Sequence, residues 1–470
     1  MSQLNTAIKP KLGLLITALL EDDWNKTAYL RPTAQAAVQN FVDALAAFAE
    51  VICPGLVETE AQAAAADLAF KTAGIDALVF VELAYTQSVI PLRALAKSQV
   101  PIIVWNTQRL PAWPQDADWD LVMLNSGLAG LPETTHALVR MGKPFHVVTG
   151  HIQDPRRMIE LEELARAAAV ANHLRWMKIG MVGHPYQYMS DLMIDPFSLR
   201  DTIGPTVVHI EPEDIAAEAA NVTEEETQRL IEEARSAWKT DEVALDIFAQ
   251  SARYAAGLEK VVKAHALDGL AHFDQGLLSD PRCGLAPSWG ESRLMAMGIP
   301  VSVEGDVNSA VGMSILKDLS GEASFGENYG FDFTNGNAYI AHDSVGNPNM
   351  AASEPQVALR PSIYYKGIYG FGIALEFAYR PGPVTMLALV QIANGRWKFV
   401  VGEGDSLPVI PRPTVAPQML FKPAASSLEE FYNSWCQSGA GHHSALAYGH
   451  LGGVLKTLAR MLGIEFELVR

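Results

Sequence analysis

Cysteine and charge are both scarce in this sequence. The three cysteines, Cys53, Cys283 and Cys436, are far apart and form no CxxC pair, so neither a disulfide framework nor a thiolate zinc site is indicated. Charged residues make up 19% of the 470 residues, with a formal net charge of -18. Because no basic stripe interrupts this acidic balance, a nucleic acid partner is not expected. Reducing cytoplasm is the simplest compartment for the chain.

Long apolar runs are also missing. The run Leu12 to Leu20 follows Lys9 and Lys11, which superficially resembles the start of a signal peptide. A transmembrane helix needs about 20 apolar residues, and the acidic segment Glu21 to Asp23 follows here in place of a cleavage site of small residues. We therefore predict a first buried strand and no association with a membrane.

Several common catalytic motifs do not occur. The sequence has no GxxxxGKS or GxxxxGKT loop, no GxGxxG after the first strand, no HExxH and no GxSxG. Nucleotide binding, dinucleotide binding, zincin chemistry and serine hydrolysis therefore lose their best sequence support.

Hydrophobic residues make up 49% of the chain, and its length suggests roughly two to four domains. Short apolar runs alternate with helical patterns in the first third, as in a doubly wound parallel sheet. The predicted strands are Leu12 to Leu20, Val51 to Cys53, Ala77 to Val81, Ile102 to Trp105, Leu121 to Leu124 and Phe145 to Val148. Helices are predicted at Thr33 to Ala49, Thr59 to Thr72 and, after the helix start Asp154-Pro155, through Ala171.

The rest of the chain shows two further sequence patterns, first alternating strands and helices and then mostly strands. Predicted strands at Met177 to Val182, Val207 to Ile210, Gly269 to His272 and Ile299 to Val303 alternate with helices between Glu213 and His265. After about Ser320, aromatic and β-branched runs are separated by turn signals, and a helix from Ser444 to Leu462 precedes a last strand, Glu465 to Val469. We predict an α/β chain with two Rossmann-like domains, residues 1–172 and 173–319, and a mostly β, barrel-like domain, residues 320–470.

Two acidic and two imidazole side chains stand at the ends of these predicted elements. Glu304 follows a strand, where ligands of open α/β sheets gather, and His342 ends the run Ala338 to Ala341. Glu327 and His443 lie in small-residue segments. Together the four suit Mn²⁺ or a similar ion, because carboxylates favour manganese and magnesium while imidazole favours later metals. Taken singly, such residues are more often surface or structural groups.

Four ordered segments resemble motifs of the L-arabinose and L-fucose isomerase family. They are Glu304 to Asp306 for the family's EGD, Ser324 to Tyr329 for SFxEDY, Gly336 to His342 for GN…H, and Gly439 to Ser444 for GGxHHT. Weaker matches are Trp105 to Gln108 for LNTQ, Gly150 to Asp154 for GHWQD and Phe421 to Pro423 for WKP. The resemblance implies that Glu304, Glu327, His342 and His443 are metal ligands. It implies a sugar contact for His442.

Other segments depart from the family. Leu20 to Asn25 replaces its SQxLYG segment, and Asn125 to Gly130 replaces NQTAHG, which places Ser126 and Ala129 at the two sugar-contact positions. Asp343 stands where the family has methionine. The metal chemistry is thus expected to be kept while recognition of the distal hydroxyls differs, so L-arabinose is not assigned as the substrate.

The resemblance implies a sugar isomerase, an intramolecular oxidoreductase that acts on a pentose, hexose or deoxysugar through a cis-enediol. Mn²⁺ is the expected cofactor, with Mg²⁺ or Co²⁺ as alternatives, and Glu304 and Glu327 are the expected catalytic pair. A homo-oligomer is expected, dimer-based or hexameric, with the pocket at subunit contacts. Epimerisation or isomerisation of a rarer sugar on the same metal, and non-catalytic sugar binding, stay open as alternatives.

A few further side chains have two interpretations each. Tyr186 could contact the sugar, although aromatics such as Tyr186, Trp24 and Tyr188 more often pack in cores or at rims. Asp306 could orient a group behind the metal ligands, but an acid at a helix N-terminus, stabilised by the helix dipole, is the more common role. His151 and His184 stand near predicted strand ends and could line the pocket.

Overall fold

The structure is a computed structural model that describes residues 7–18, 29–274, 284–364 and 368–470. The predicted loop Leu20 to Asn25 with Trp24, the end of the predicted first strand, and Cys283 lie outside the described residues. Two compact units are present, an N-terminal unit (Ile8–Asn172) and a C-terminal unit (His173–Arg470). The finer division of the C-terminal part at residue 319 stays a prediction.

The N-terminal unit is built on a parallel sheet, as predicted. Its strands are β1 (Lys11–Thr17), β2 (Glu50–Ile52), β3 (Leu56–Val57), β4 (Ala77–Glu82), β5 (Ile102–Asn106) and β6 (Phe145–Thr149). The order is β2-β1-β4-β5-β6, and β3 pairs with β1. Every residue of β4 is buried, which explains the continuously apolar run in the sequence. The helices are α1 (Leu30–Ala46), α2 (Glu60–Ala73), α3 (Leu92–Leu95), α4 (Trp119–Met123), α5 (Gly127–Arg140) and α6 (Pro155–Leu174).

The strand predicted at Leu121 to Leu124 is wrong, because this segment belongs to helix α4. Asp118 adopts an extended conformation and its side chain accepts a hydrogen bond from the backbone N–H of Leu121, as an N-cap residue does. A four-residue apolar run does not distinguish a strand from a short helix. The cap, not the hydrophobic pattern, decided the outcome here.

The C-terminal unit begins with a second parallel sheet. Its strands are β7 (Lys178–Val182), β8 (Thr206–Ile210), β9 (Gly269–His272) and β10 (Val301–Ser302), in the order β10-β9-β7-β8. The accompanying helices are α7 (Pro196–Thr202), α8 (Pro212–Ala220), α9 (Glu224–Ala237), α10 (Leu245–His265), α11 (Ser288–Ala296) and α12 (Val307–Ser320). Strand β10 is shorter than the predicted Ile299 to Val303. Across the described ranges, no helix is long and apolar enough to cross a membrane.

A mixed sheet occupies the rest of the C-terminal unit. Its strands are β11 (Ser324–Asp332), β12 (Asn337–Ala341), β13 (Ala358–Tyr364), β14 (Ile368–Ala378), β15 (Gly382–Gln391), β16 (Trp397–Leu407), β17 (Pro417–Pro423), β18 (His443–Tyr448) and β19 (Glu465–Val469). Helices α13 (Leu428–Gln437) and α14 (Gly452–Leu462) accompany them. The order is β13-β14-β17-β12-β11-β18-β15-β16-β19, with β17 also paired to β16. That extra pairing supports the barrel-like form, which stays a prediction.

The helix predicted from Ser444 is wrong in its first half. Residues His443–Tyr448 form β18, which lies between β11 and β15, and α14 begins only at Gly452. Ser444 to Ala447 are all buried, so an apolar run that reads as helix is stabilised as a strand by neighbours on both sides. Glu327, predicted on a loop, likewise lies within strand β11.

Helix α12 joins the two sheets of the C-terminal unit. It contacts β9 and β10 of the parallel sheet and β15 and β18 of the mixed sheet, and nearly all its residues are buried. A helix that is apolar all round belongs in a core. Its N-terminus therefore brings the end of β10 next to the start of β18, and the candidate site lies at this junction.

Candidate metal centre

Glu304 follows β10 in a left-handed backbone conformation, with φ of 58°. Its N–H donates to Oδ1 of Asp274 at 3.0 Å and its carbonyl oxygen accepts from the N–H of Tyr186 at 2.9 Å. The next N–H, that of Gly305, donates to the carbonyl of His272 at 3.1 Å. Such a conformation costs a residue with a Cβ on the order of 1–3 kcal/mol and persists only where the surroundings impose it. The carboxylate is therefore held, at 6% exposure, by a defined backbone.

Sheet register brings the other three side chains together. Glu327 of β11 pairs with His443 of β18 on one side and with Ala341 of β12 on the other. His342 follows Ala341 directly at the end of β12. Residues opposite each other in an antiparallel pair project to the same face of a sheet. The register therefore places Glu327 beside His443, and His342, one residue beyond the end of β12, also lies next to Glu327.

The four side chains named from the sequence converge. Nε2 of His342 lies 3.2 Å from Oε1 of Glu327, and Nε2 of His443 lies 3.6 Å from the same oxygen. On its other side, Nε2 of His443 lies 3.7 Å from Oε2 of Glu304. Each of the four side chains therefore lies within 3.7 Å of another of the four, and His443 is near both Glu304 and Glu327.

This donor set fits a divalent cation. The Nε2 atoms of His342 and His443 are buried and find no hydrogen-bond partner among the residues that the structure describes. One ligand atom each from Glu327, His342 and His443 can be chosen within 4.8 Å of one another, and the same is true of Glu304, His442 and His443. Bonds of about 2.0–2.2 Å from one ion to nitrogen or oxygen produce separations of this size.

Asp306 and Asp191 each contact the Nδ1 atom of one of two adjacent histidines, His443 and His442. Oδ2 of Asp306 lies 3.0 Å from Nδ1 of His443, while its Oδ1 accepts the N–H of Ser309 and caps α12. Asp191, in a short 3-10 helix (Ser190–Leu192), lies 2.6 Å from Nδ1 of His442 through its Oδ2. Asp306 therefore stands at the start of a helix and also contacts His443, while its role in orienting groups of a metal site stays a prediction.

Carboxylates outnumber compensating groups in this cluster, and the pKa values reflect it. Burial lowers the pKa of His443, but Asp306 and Glu327 outweigh it and raise the value to about 9. Burial also lowers the pKa of His442, yet Asp191 and Glu304 raise it to about 10. Burial raises the pKa of Glu327, whereas the imidazoles of His342 and His443 close to its carboxylate bring it below its ordinary value. The surplus of negative charge is what a cation would neutralise.

A polar cavity of about 150 Å³ adjoins the cluster on the Asp191 side. Its lining includes Ser190, Asp191, Asn308, Gln391, Gly439 and the ring of His443. The side chain of Asn308 is 8% exposed, and its Oδ1 has no partner in the described part of the chain.

The other residues named from the sequence lie in varied settings. Ser126 belongs to the N-terminal unit, where its hydroxyl accepts the N–H of Tyr85 at 2.9 Å and donates to Met123 at 2.8 Å. Tyr186 supports Glu304 through its backbone, and its ring lies 6.0 Å from that of Phe273. Sugar contacts by Ser126, Tyr186 and His442 stay predictions.

The remaining histidines and aromatics make local contacts. Nε2 of His151 lies 3.3 Å from the carbonyl of Arg109, and the ring of His184 packs 4.3 Å from that of Phe273. Tyr188 is 87% exposed. Of the site's supporting groups, Asp191 and Asp274 were missed from the sequence, because neither stands in a motif and 251 positions separate Asp191 from His442.

Comparison with known proteins shows similarity to sugar isomerases. Residues 322–465 match the model of the L-arabinose isomerase C-terminal domain, the region that contributes Glu327, His342 and His443. An L-arabinose isomerase from Nocardioides sp. is 26% identical over 383 residues, covering 78% of this chain and 75% of the relative. One from Geobacillus kaustophilus is 26% identical over 386 residues, covering 80% and 77%.

Among solved structures, an ABC transporter solute-binding protein from Burkholderia multivorans covers 62% of this chain and 93% of its own. Its identity is 13% and its TM-score is 0.17, which is too low to support an argument about fold or function. The family model and the curated relatives are the informative comparisons. On their evidence, the chain is similar to L-arabinose isomerases over 78–80% of its length, at 26% identity.

Proposed function

We propose that the protein is a metal-dependent aldose–ketose isomerase that acts on a pentose, hexose or deoxysugar through a cis-enediol. Its curated relatives are named L-arabinose isomerases, which makes it an enzyme of the aldose–ketose isomerase class. The observation that carries the proposal is the meeting of Glu304, Glu327, His342 and His443 around buried imidazole nitrogens without hydrogen bonds.

These four side chains would hold the ion, with Mn²⁺ as the first choice and Mg²⁺ or Co²⁺ as alternatives. Two carboxylates with two imidazoles suit a borderline-hard divalent ion. When bound, the ion supplies Lewis acidity that favours negative charge on the sugar oxygens. Asp306 would keep His443 in the tautomer whose Nε2 lone pair faces the ion, because its carboxylate takes the Nδ1 hydrogen.

The chain's own groups would move the protons. An aldose becomes a ketose when C2 and its hydroxyl each lose a proton while C1 and its oxygen each gain one, so no external oxidant or reductant is needed. Glu304 and Glu327 are the two carboxylates placed to take the proton from C2 and return it to C1. General acid–base assistance of this kind is worth about 10² to 10⁴ in rate.

The substrate need not be L-arabinose. Ser126 and Ala129 stand at positions where the family's motif has glutamine and histidine, and the hydroxyl of Ser126 is already engaged with backbone groups. A different set of distal hydroxyls is therefore expected. We also propose a cytoplasmic homo-oligomer, dimer-based or hexameric, which light scattering on the purified protein would measure.

The test is a panel of pentoses, hexoses and deoxysugars assayed with Mn²⁺ for conversion of aldose to ketose. We expect one sugar to be converted, the rate to vanish with a chelator and to return with Mn²⁺. Glu304→Gln and Glu327→Gln should each lower kcat by about 10² or more. Glu225→Gln, on an exposed turn of α9, is the control and should keep full activity.

Two outcomes would overturn the proposal. Full activity after complete removal of metal would exclude the metal-dependent mechanism. Tight binding of a sugar without turnover of any member of the panel, unchanged in Glu304→Gln, would favour a sugar-binding protein. Release of an epimer in place of a ketose would instead assign another reaction to the same cluster.

A further inference from the structure

We propose that His442 is a further ligand of the cation, and that Asp191 sets its ring for this role. The inference rests on the proposed metal site and goes beyond it, because the resemblance implies a sugar contact for His442. It concerns the second group of potential ligand atoms, from Glu304, His442 and His443. This group shares only His443 with the one formed by Glu327 and His342.

Asp191 fixes the ring of His442 at two points. A single oxygen, Oδ2, accepts the backbone N–H of His442 at 2.9 Å and lies 2.6 Å from Nδ1 of the same residue. A Cβ at Gly441 would lie 3.1 Å from this oxygen, so glycine at that position permits the close approach. The carbonyl of Asp191 accepts a bond from the side chain of Asn308 at 3.3 Å. The ring therefore has little freedom to rotate.

With Nδ1 directed to Asp191, the other ring nitrogen faces the metal cluster. Nε2 of His442 lies 3.6 Å from Oε2 of Glu304, against 3.7 Å for the corresponding contact of His443. The centroids of the two imidazoles lie 4.0 Å apart, with the ring planes tilted by 36°. By distance, His442 is thus placed as well as His443 to meet an ion bound by Glu304.

The charge balance favours coordination. With its Nδ1 hydrogen directed to the Asp191 carboxylate, the ring can offer the Nε2 lone pair to a cation. An ion bound by Glu304 would take the place of a proton on Nε2, opposite the same carboxylate. A carboxylate behind a histidine is also the usual support of a metal-binding imidazole. Asp191 thus contacts Nδ1 of His442 in the same way that Asp306 contacts Nδ1 of His443.

The experiment counts the imidazoles on the ion directly. Protein labelled with ¹⁵N-histidine is loaded with Mn²⁺ and examined by electron–nuclear double resonance. We expect three coupled imidazole nitrogens in the unsubstituted protein and two in His442→Ala. Calorimetry should show the Kd for Mn²⁺ rising about 10- to 100-fold in His442→Ala and also in Asp191→Asn. His209→Ala, at an exposed position on β8, is the control and should leave both measurements unchanged.

The outcomes separate this inference from the proposed function. Two coupled nitrogens in the unsubstituted protein, with an unchanged Kd in His442→Ala, would overturn the role of His442 and leave the four-ligand site in place. No binding of Mn²⁺, Mg²⁺ or Co²⁺ by the unsubstituted protein would overturn both. Circular dichroism of each variant shows that it is folded, and the nitrogen count in the unsubstituted protein does not depend on any variant.

Discussion

Asp306 and His443 are joined by a contact of 3.0 Å between Oδ2 and Nδ1, although 137 positions separate them in the chain. The other carboxylate oxygen of Asp306 caps helix α12. Both residues are almost fully buried. One side chain thus couples the start of a core helix to the histidine at the centre of the candidate metal site, and the two contacts can be separated by substitution.

Replacing Asp306 tests this double role. Asp306→Asn keeps a good N-cap but loses the carboxylate behind His443, so the Kd for Mn²⁺ should rise about 10- to 100-fold with little loss of stability. Asp306→Ala loses the cap as well and should cost about 1 kcal/mol more in the free energy of unfolding. Calorimetry and urea unfolding measure the two effects. Equal Mn²⁺ affinity in Asp306→Asn and the unsubstituted protein would refute the role in positioning His443.

The backbone at Glu304 offers a second prediction. Because φ is 58° there, glycine should fit better than alanine, and metal-free Glu304→Gly should be more stable than Glu304→Ala by up to about 1 kcal/mol. Both variants should lose activity. Ala64→Gly, on the exposed face of α2, is the control. Glycine should be the less stable residue there, and the free energy of unfolding should fall by about 1 kcal/mol. A Glu304→Ala variant as stable as Glu304→Gly would show that the backbone there is not strained.

Stability should depend on pH through His173. A hydrogen bond with Asp318, 2.6 Å from its Nδ1, raises the pKa of His173 despite the opposing effect of burial; Asp268 adds to the rise and Lys317 opposes it. A raised folded-state pKa means that the stabilisation is fully present below the unfolded value of about 6.5 and is lost as pH rises through the folded value.

The measurement compares the unsubstituted protein with His173→Gln in metal-free buffer at pH 6 and pH 9. The unsubstituted protein should be the more stable at pH 6, by about 1 kcal/mol or less for a partly exposed pair. That advantage should shrink at pH 9. An advantage that grows with pH would have the wrong sign and would contradict the assignment.

Two glycines of α5 allow a test of packing in the N-terminal unit. A Cβ at Gly127 would lie 1.6 Å from the carbonyl oxygen of Glu82, whereas one at Gly130 would lie 1.8 Å from the side-chain Oε1 of Glu82. Backbone cannot move aside as a side chain can. Gly127→Ala should therefore destabilise by about 1–3 kcal/mol or more, and Gly130→Ala by less.

A second substitution checks the cause. Glu82→Ala should reduce the destabilisation caused by Gly130→Ala, because it removes the clashing oxygen. It should leave the destabilisation caused by Gly127→Ala unchanged. Double-mutant cycles in urea unfolding give both coupling energies. If Glu82→Ala also reduced the destabilisation caused by Gly127→Ala, the clash of residue 127 would not be with the backbone of Glu82.

The parallel strands of both units could be predicted because burial on two faces leaves continuous apolar runs, as in β4 and β7. The two errors of element type, at Leu121 and Ser444, share a cause. Each segment is apolar and short, and its neighbours decide its conformation, through the cap at Asp118 for α4 and through β11 and β15 for β18. Hydrophobic pattern alone cannot distinguish these outcomes.

The candidate ligands could be named because their residue types are restricted by chemistry and stand in recognisable segments. Their supports could not be named. Asp274 accepts the N–H of Glu304 and Asp191 accepts that of His442, but an aspartate outside a recognisable motif has no sequence signal for the partner that it will meet.

The order of residues by itself determined which chemistry is available, namely acidic and imidazole groups suited to a divalent cation, and which segments are buried. Only the tertiary structure decided how those groups are aimed. Helix α12 packs between two sheets and strand β11 pairs on both sides, and these contacts set Glu304, Glu327, His342 and His443 face to face. The reason is that side-chain identity is local, whereas direction and distance between remote side chains arise from packing and register.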